Sequence, residues 1–564
     1  MNPDSKSTAL ANEAWGCMVA KSLVDLGIGT VVFSPGSRST PLILGCENQG
    51  GLETIPILDE RTAGFFALGL SKRLAKPAAL ICTSGSAVAN WFPAVVEADH
   101  SGTPLLLLSA DRPPELQDCG AGQTINQVEL FGRFTRAFHQ IPLPSQSIES
   151  LKALAETINL AHSQSMGQNP GPVHLNFPFR EPLYTGNGHS LSIEFPSTPS
   201  KTNKPKEEES NDTQVLGILA KSKRLLVIAG GHAPAQTFES WKGELSPPIL
   251  CDPLSALRES GHPNAVLRFE NLLRNERFLK NAEPDLILQV GPLPTSKTLR
   301  NWLGGLHVPR VVLEPRGINV DPLDGPSQSF DLSYSKTARM NPPVCEKGWS
   351  DLWMKSEGQV EARFDRFFSK EDNWFEGEVA RVLSQHVPKE SCIQVANSMP
   401  IRDLEWFWKG NGKKRRLFGN RGANGIDGTL GTALGLAHKN PKATYLLTGE
   451  LAFLHDSNAL LASSIVSGRL TVILLNNDGG GIFENLPVAK LQAFEKCFAT
   501  PQHCDFKVLC QAHGVAHHEP KDRQALIDLL QARPKEGMQV LEIKTDRKKD
   551  RLTRLDLLGF GPDL

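Results

Sequence analysis

Thr444-Tyr445-Leu446-Leu447-Thr448-Gly449-Glu450-Leu451 is followed, after 24 residues (452–475), by Asn476-Asn477-Asp478-Gly479-Gly480. The first string closes the apolar run Thr444–Leu447, and the second closes the run Leu470–Leu475. Two short apolar runs separated by a helix-length interval predict neighbouring strands of a parallel sheet, because parallel strands need a crossover between them. Such a sheet sets Glu450 and Asn477 side by side at its carboxyl edge, where ligands of open α/β sheets collect. A carboxylate, an amide oxygen and the Gly479 carbonyl in the Gly-rich turn are hard oxygen ligands. They suit Mg²⁺, which keeps phosphate oxygens and water in its remaining positions. Asp456-Ser457-Asn458 offers a cap for the helix after Glu450, whose N-terminus would face a diphosphate. The same residues also read as a plain turn with a surface carboxylate, so the strand-edge setting decides between the two.

The same texture extends outward in both directions. Thr30–Phe33 runs into Ser34-Pro35-Gly36, Ala78–Cys82 into Thr83-Ser84-Gly85, and Leu105–Leu108 into Ser109-Ala110-Asp111. Leu225–Ala229 precedes Gly230-Gly231, and Asp285–Val290 precedes Gly291. Continuous apolar strands alternating with helical patterns predict an α/β chain with parallel sheets covered on both faces. Thr83 lies 22 positions before Leu105, and Thr448 lies 24 before Val472. This faint echo is compatible with two related domains. At about 150 residues per domain, 564 residues predict three to four domains. The polar run 196–213, with lysines and then glutamates and no hydrophobic period, reads as a linker. A weaker break lies at 333–344. The expected parts are therefore 1–195, 214–345 and 346–564.

Composition removes several classes of function. Lys plus Arg is 60 against 61 Asp plus Glu, which leaves a net charge of −1 and no electrostatic footprint for nucleic acid. The polar N-terminal residues lack a secretory pattern, and the apolar runs are strand-sized, too short to span a bilayer. Ten cysteines without a CxxC pair read as reduced thiols of a cytoplasmic protein. The cluster Cys497, His503, Cys504, Cys510, His513, His517 and His518 fits no paired zinc-ligand spacing. Lys413-Lys414-Arg415-Arg416 reads as a solvated loop. Gly230-Gly231-His232 lacks the GxGxxG fingerprint of a dinucleotide site.

Eight strings, in order, carry a resemblance: Ser34-Pro-Gly-Ser-Arg-Ser-Thr-Pro, Asp59-Glu-Arg-Thr-Ala, Thr83-Ser-Gly-Ser-Ala, Ser109-Ala-Asp-Arg-Pro-Pro-Glu-Leu, Asp118-Cys-Gly-Ala-Gly-Gln-Thr-Ile, Ala396-Asn-Ser-Met, Asn420-Arg-Gly-Ala-Asn-Gly-Ile-Asp-Gly and Asn476-Asn-Asp-Gly-Gly-Gly-Ile-Phe. With Gly449-Glu450, the chain resembles the thiamine-diphosphate enzymes. Within them it is similar to the 2-succinyl-5-enolpyruvyl-6-hydroxy-3-cyclohexene-1-carboxylate synthase family of menaquinone and phylloquinone biosynthesis. The strings span the first and last parts, and the middle part matches only in general character.

The resemblance implies a pyrimidine-binding domain (1–195), a central domain (214–345) and a diphosphate- and metal-binding domain (346–564). It implies a carboligase that decarboxylates 2-oxoglutarate and adds the succinic-semialdehyde carbanion to isochorismate. Thiamine diphosphate and Mg²⁺ or Mn²⁺ are the implied cofactors. Glu60 matches the carboxylate that stabilises the imino tautomer of the coenzyme pyrimidine. Ile426 matches the apolar prop under its V shape. Gly449, Leu451, Asn477, Gly480, Ile482 and Ser398 fall at coenzyme positions, and Glu450, Asn477 and Gly479 at metal positions. Both substrates carry two carboxylates, which calls for guanidinium forks. Arg38, Arg112, Arg402 and Arg421 lie in matching strings, with Ser37, Gln123 and Ser398 as neutral donors and Lys297 as a weaker candidate. Asn476, Ile482, Phe483 and Leu486 would line the pocket, Phe483 as an apolar wall. His455 is expected only near the diphosphate.

One departure matters: Glu450 stands where the family pattern has Asp. An extra methylene carries the carboxylate outward by about 1.5 Å. Mg²⁺ demands tight octahedral geometry, so either the backbone retreats or metal preference shifts toward Mn²⁺. Glu60 and the metal residues lie almost 400 positions apart. By the resemblance, a homodimer or homotetramer joins them by pairing the first domain of one copy with the last of another. The alternatives are another thiamine-diphosphate 2-oxoacid decarboxylase, an acetohydroxyacid-synthase-like enzyme, or a catalytically silent regulatory relative.

Overall fold

The computed structural model describes residues 3–186, 210–231, 233–331, 333, 341–370, 374–532 and 536–562. Most of the linker expected at 196–213 and most of the break expected at 333–344 lie outside these residues; a helix, Ser210–Leu219, occupies the linker's last positions. Among the described residues, eighteen strands form three six-stranded sheets, and every strand pair in them is parallel. The chain divides into two compact units. One comprises Met1–Pro205, Asn420–Asn440 and His455–Gly468; the other comprises Lys206–Gly419, Pro441–Leu454 and Arg469–Leu564.

The first unit holds β1 (Thr30–Phe33), β2 (Glu53–Pro56), β3 (Ala78–Cys82), β4 (Leu105–Asp111), β5 (Ala137–Gln140) and β6 (Pro172–Pro178), in the order β2-β1-β3-β4-β6-β5. All five residues of β3 and all seven each of β4 and β6 are buried. β3 and the Leu105–Leu108 part of β4 accordingly read as unbroken apolar runs, whereas β6 buries His174 and Asn176 between its apolar residues by bonding both to the Ser109 hydroxyl. Helix Glu60–Leu74 follows β2. Asp59 caps it by accepting the Arg61 N–H at 2.9 Å, Lys72 and Arg73 suit the negative end of its dipole, and Ala75 stops it at φ 53°. This helix crosses helix Thr429–Ala437 at glycines. A Cβ on Gly69 would lie 2.1 Å from the Thr432 carbonyl oxygen, and one on Gly435 would lie 2.0 Å from that of Phe66.

The second unit holds two sheets. The first of these contains β7 (Leu225–Ala229), β8 (Ile249–Cys251), β9 (Ala265–Val266), β10 (Leu286–Val290), β11 (Arg310–Leu313) and β12 (Ser327–Phe330). Its order, β12-β11-β10-β7-β8-β9, is that of the doubly wound nucleotide-binding folds. The other contains β13 (Cys392–Val395), β14 (Arg416–Gly419), β15 (Thr444–Gly449), β16 (Arg469–Asn476), β17 (Ala516–His518) and β18 (Gly537–Lys544), ordered β14-β13-β15-β16-β18-β17. Numbered within each sheet, this order equals that of the sheet in the first unit. The echo heard between Thr83 and Thr448 thus has a structural counterpart.

Candidate active site

Most candidate groups stand in the segment that follows the carboxyl end of a strand, while Glu60, Lys297, Arg402 and Leu451 lie on the helices that come next. β15 and β16 pair in register, Gly449 opposite Leu475, which brings Glu450 and Asn477 together as the spacing predicted. Glu450 is buried, and its Oε1 accepts the Gly479 N–H at 2.6 Å. Burial pushes its carboxyl up to about 7, against the opposing pull of backbone N–H groups at Gly479 and Asn477. Asn477 is also buried. Its Nδ2 donates to Glu376, while its Oδ1 has no hydrogen-bond partner among the described residues. A buried carbonyl oxygen without a donor is costly, and a divalent cation shared with the neighbouring carboxylate satisfies it. The donor set therefore fits Mg²⁺ or Mn²⁺.

The glycines of the turn are required sterically. Gly479 has φ 138°, and a Cβ there would lie 2.6 Å from the Ala499 carbonyl oxygen; on Gly480 it would lie 2.8 Å from that of Phe498. Ile482 and Phe483 are half-buried in the 3-10 turn Gly481–Asn485, where Phe483 meets Phe498 edge-on with centroids 5.9 Å apart. Leu486 is exposed just beyond it. Gly449 ends β15, and Leu451 is half-buried in the short helix Glu450–His455. Asn476 donates to Glu542 at 2.7 Å. Ser398, between β13 and helix Met399–Phe407, has φ 72° and ψ −129°, a backbone state L residues rarely adopt and one that clusters at functional sites. Its carbonyl accepts from Arg402 at 2.6 Å. Lys297 is exposed at the start of helix Lys297–Gly305, after β10, on a different sheet.

In the first unit, Glu60 opens the helix after β2 and is half-buried, with Asn90 Nδ2 donating to its Oε2 at 3.1 Å. The turns after β1, β3 and β4 gather Arg38, Ser84, Arg112 and Gln123. Arg112 donates to the Ser84 hydroxyl, and Gln123 donates to the Ser84 carbonyl at 3.1 Å from a positive φ of 58°. Arg112 titrates below its ordinary value because burial and the neighbouring Arg38 charge both oppose its proton. Two adjacent guanidiniums suit a dianionic ligand. Arg38 itself is 6% exposed and already donates to the Phe179 carbonyl at 3.0 Å and to Glu181 at 2.8 Å. Ser37 is exposed in the same turn. Arg421 and Ile426 are half-buried in the segment between Asn420 and helix Thr429–Ala437, and that segment is tied down by Glu97. The Glu97 carboxylate accepts the N–H of Gly422 at 3.1 Å and of Ala423 at 2.8 Å, and pairs with Lys72 at 3.1 Å.

Two expectations need correction. Asp456 does not cap the helix after Glu450. That helix starts at Glu450 itself, directly at the end of β15, and ends at His455, which is exposed. The buried Asp456 instead accepts the Gly431 N–H at 2.7 Å, at the start of helix Thr429–Ala437. Nor is Lys413–Arg416 a uniformly solvated run. Arg415 is buried, pairs with Glu259 at 2.8 Å, and lies over the Trp408 ring at 4.8 Å. As the chain enters β14 its residues alternate in direction, and Arg415 takes the inward position. The partners Asn90, Glu97 and Glu376 escaped the sequence reading, because nothing in the local strings marks them.

The family described as "Thiamine pyrophosphate enzyme, N-terminal TPP binding domain" matches residues 15–130. Proteins named 2-succinyl-5-enolpyruvyl-6-hydroxy-3-cyclohexene-1-carboxylate synthase are similar over nearly the whole chain. The one from Trichodesmium erythraeum is 39% identical, covering 98% of this chain and 99% of its own. Those from Microcystis aeruginosa (95% and 96%) and Synechococcus elongatus (97% and 96%) are each 40% identical. Among solved structures, benzoylformate decarboxylase from Polynucleobacter necessarius superposes with a TM-score of 0.68 at 15% identity, over 94% of this chain and 98% of its own. At that identity the likeness concerns the fold.

Proposed function

We propose a function from one premise: this chain belongs to the 2-succinyl-5-enolpyruvyl-6-hydroxy-3-cyclohexene-1-carboxylate synthase family of thiamine-diphosphate enzymes. It is a transferase that decarboxylates 2-oxoglutarate and joins the remaining four-carbon unit to isochorismate, a step toward menaquinone or phylloquinone. The observation that carries this reading is identity of 39–40% over 95–98% of the chain to relatives of that name. Among the described residues, no helix is long and apolar enough to cross a membrane.

Bound thiamine diphosphate would supply a nucleophilic carbon for the oxoacid carbonyl and an electron sink for the pair released when carbon dioxide departs, the pair with which the substrate's own carbon then bonds to the acceptor. Glu60 holds a proton at the pyrimidine N1′, and Asn90 orients its carboxylate. Ile426 props the coenzyme from below, and Ser398, Gly449, Leu451, Gly480 and Ile482 line it. Glu450, Asn477 and the Gly479 carbonyl hold Mg²⁺ or Mn²⁺ against the diphosphate; the unpartnered Asn477 oxygen supports this assignment. Arg112, with Arg38 beside it, receives substrate carboxylate, helped by Arg402, Arg421, Ser37 and Gln123. Phe483 walls the ring of the acceptor, and Lys297 is assigned to the substrate on the family pattern alone. Two copies, as a homodimer or a pair of dimers, complete each site, with Glu60 from one and the Glu450 set from another.

The test is consumption of 2-oxoglutarate by purified protein with thiamine diphosphate and Mg²⁺ or Mn²⁺, with and without isochorismate. Turnover that requires isochorismate is expected. Carbon dioxide release from pyruvate alone would point to a different 2-oxoacid decarboxylase, and no turnover with any acid would point to a silent relative. Size-exclusion of a fully active monomer would contradict the shared site.

A further inference from the structure

Behind Asn477 lies a buried charge network that nothing in the reaction itself requires. Glu376 is 1% exposed at the start of helix Glu376–His386. One of its oxygens accepts from Asn477 Nδ2 and, at 3.4 Å, from the Thr545 hydroxyl. Its other oxygen accepts from Arg554, which is 3% exposed and also grips Asp403 through two bonds of 2.7 and 2.6 Å. The Glu376 N–H is itself held by Asp550 at 3.3 Å. Glu376 is thus fixed on both oxygens and on its backbone before any ligand arrives.

An amide has one donor end and one acceptor end, and a carboxylate only accepts. A fixed carboxylate therefore selects the rotamer that turns the Asn477 NH₂ toward it. The other end of the same planar group, Oδ1, is then forced the opposite way, where it has no partner among the described residues. Were the amide reversed, its N–H groups would face the cation site and its oxygen would face an anion, so both contacts would become repulsive. We propose that Glu376, clamped by Arg554 and Asp403, is a positioning residue that fixes the Asn477 amide so that its oxygen faces the divalent ion. This rests on the assignment of Asn477 as a metal ligand.

The experiment is Mn²⁺ binding in the presence of thiamine diphosphate, read from loss of the free-ion electron paramagnetic resonance signal. Wild type is compared with Asn477→Ala, Glu376→Gln, Asn477→Asp and the double variant Glu376→Gln/Asn477→Asp. Glu376→Gln should weaken Mn²⁺ binding by about 10–100-fold, the usual range for a residue that orients a ligand. Asn477→Asp alone sets two carboxylates together and should also bind weakly. In the double variant, Gln donates to one Asp oxygen and leaves the other for the ion, so most of the lost affinity should return. A merely structural role for Glu376 predicts no such recovery. If Asn477→Ala leaves Mn²⁺ binding unchanged, the metal assignment itself fails. If Asn477→Ala weakens it but Glu376→Gln does not, the positioning role alone is overturned. Should Glu376→Gln not fold, the double variant decides: affinity no better than Asn477→Asp contradicts the proposal.

Discussion

Removing Glu97 should loosen the segment that carries Arg421 and Ile426, and the cost can be worked from its contacts. Glu97 is 3% exposed and holds three donors: Lys72 at 3.1 Å and the backbone N–H groups of Gly422 and Ala423. In Glu97→Ala, the 9%-exposed Lys72 ammonium keeps the Asn420 amide oxygen at 2.9 Å but loses its 3.1 Å ion pair with Glu97. Breaking such a buried pair costs about 3–5 kcal/mol. The two freed N–H groups add about 1 kcal/mol and not their full desolvation penalty, because Gly422 is half-exposed and Ala423 exposed, so water can reach them. The total is about 5 kcal/mol. For a unit of this size each kcal/mol shifts the midpoint by about 2–4 °C, so its thermal transition should fall by about 10–20 °C. Lys72→Met is the informative contrast. Glu97 then keeps both backbone donors, and the cost should be about 1–3 kcal/mol. Scanning calorimetry measures the transition, and steady-state kinetics with isochorismate measure whether KM rises as the Arg421 segment loosens. A Glu97→Ala protein melting within a degree of wild type, or one less damaged than Lys72→Met, would refute the reasoning.

Gly435→Ala should destabilise by about 2 kcal/mol: Ala gains about 1 kcal/mol in helix propensity, but its Cβ overlaps the Phe66 backbone, which cannot move aside like a flexible side chain. Gly358→Ala, in helix Trp349–Phe368 with open space around it, should instead raise stability by up to about 1 kcal/mol in the same thermal assay. Burial pushes Asp456 up to about 7 from an ordinary 3.8. The unfolded chain ionises first, so folding takes up a proton, and this group's stability contribution is full below pH 3.8 and lost as pH rises to about 7. Asp456→Asn should therefore be the more stable protein at pH 8, by about 1–3 kcal/mol, with the advantage shrinking to nothing near pH 4 in urea titrations. Glu450→Asp should move the ratio of Mg²⁺ to Mn²⁺ activation toward Mg²⁺, since Mg²⁺ demands the stricter octahedral geometry that the extra methylene disturbs; identical metal profiles would remove the role given to the extra methylene.

Strands were legible where burial on both faces coincides with an unbroken apolar run, so Ala78–Cys82 and Leu225–Ala229 are recovered residue for residue, whereas β6, buried throughout but interrupted by His174 and Asn176, gave no signal. The partly exposed edge strands β12 and β17 carry no such run and gave no signal. Glu450 and Asn477 were legible because parallel register follows from strand pairing, a local property. Asp456 was misplaced because a polar residue after an apolar helix looks the same whether it caps its own helix or a distant one. Arg415 was hidden inside a run of four cations whose alternation in direction only the strand reveals. The partners Glu97 and Glu376 lie 325 and 101 positions from the groups they hold, so only the folded chain joins them.

The central claim is that one coenzyme is held at one end by Glu60 and at the other by a divalent ion on Glu450 and Asn477. Titration calorimetry of thiamine diphosphate into the full-length protein tests it most directly, with and without Mg²⁺ or Mn²⁺, for wild type, Glu60→Gln and Asn477→Ala. The account predicts metal-dependent uptake by wild type, weaker uptake by Glu60→Gln, and loss of the metal dependence in Asn477→Ala. No heat of binding by wild type with either metal present, or uptake indifferent to metal and to both substitutions, would contradict it.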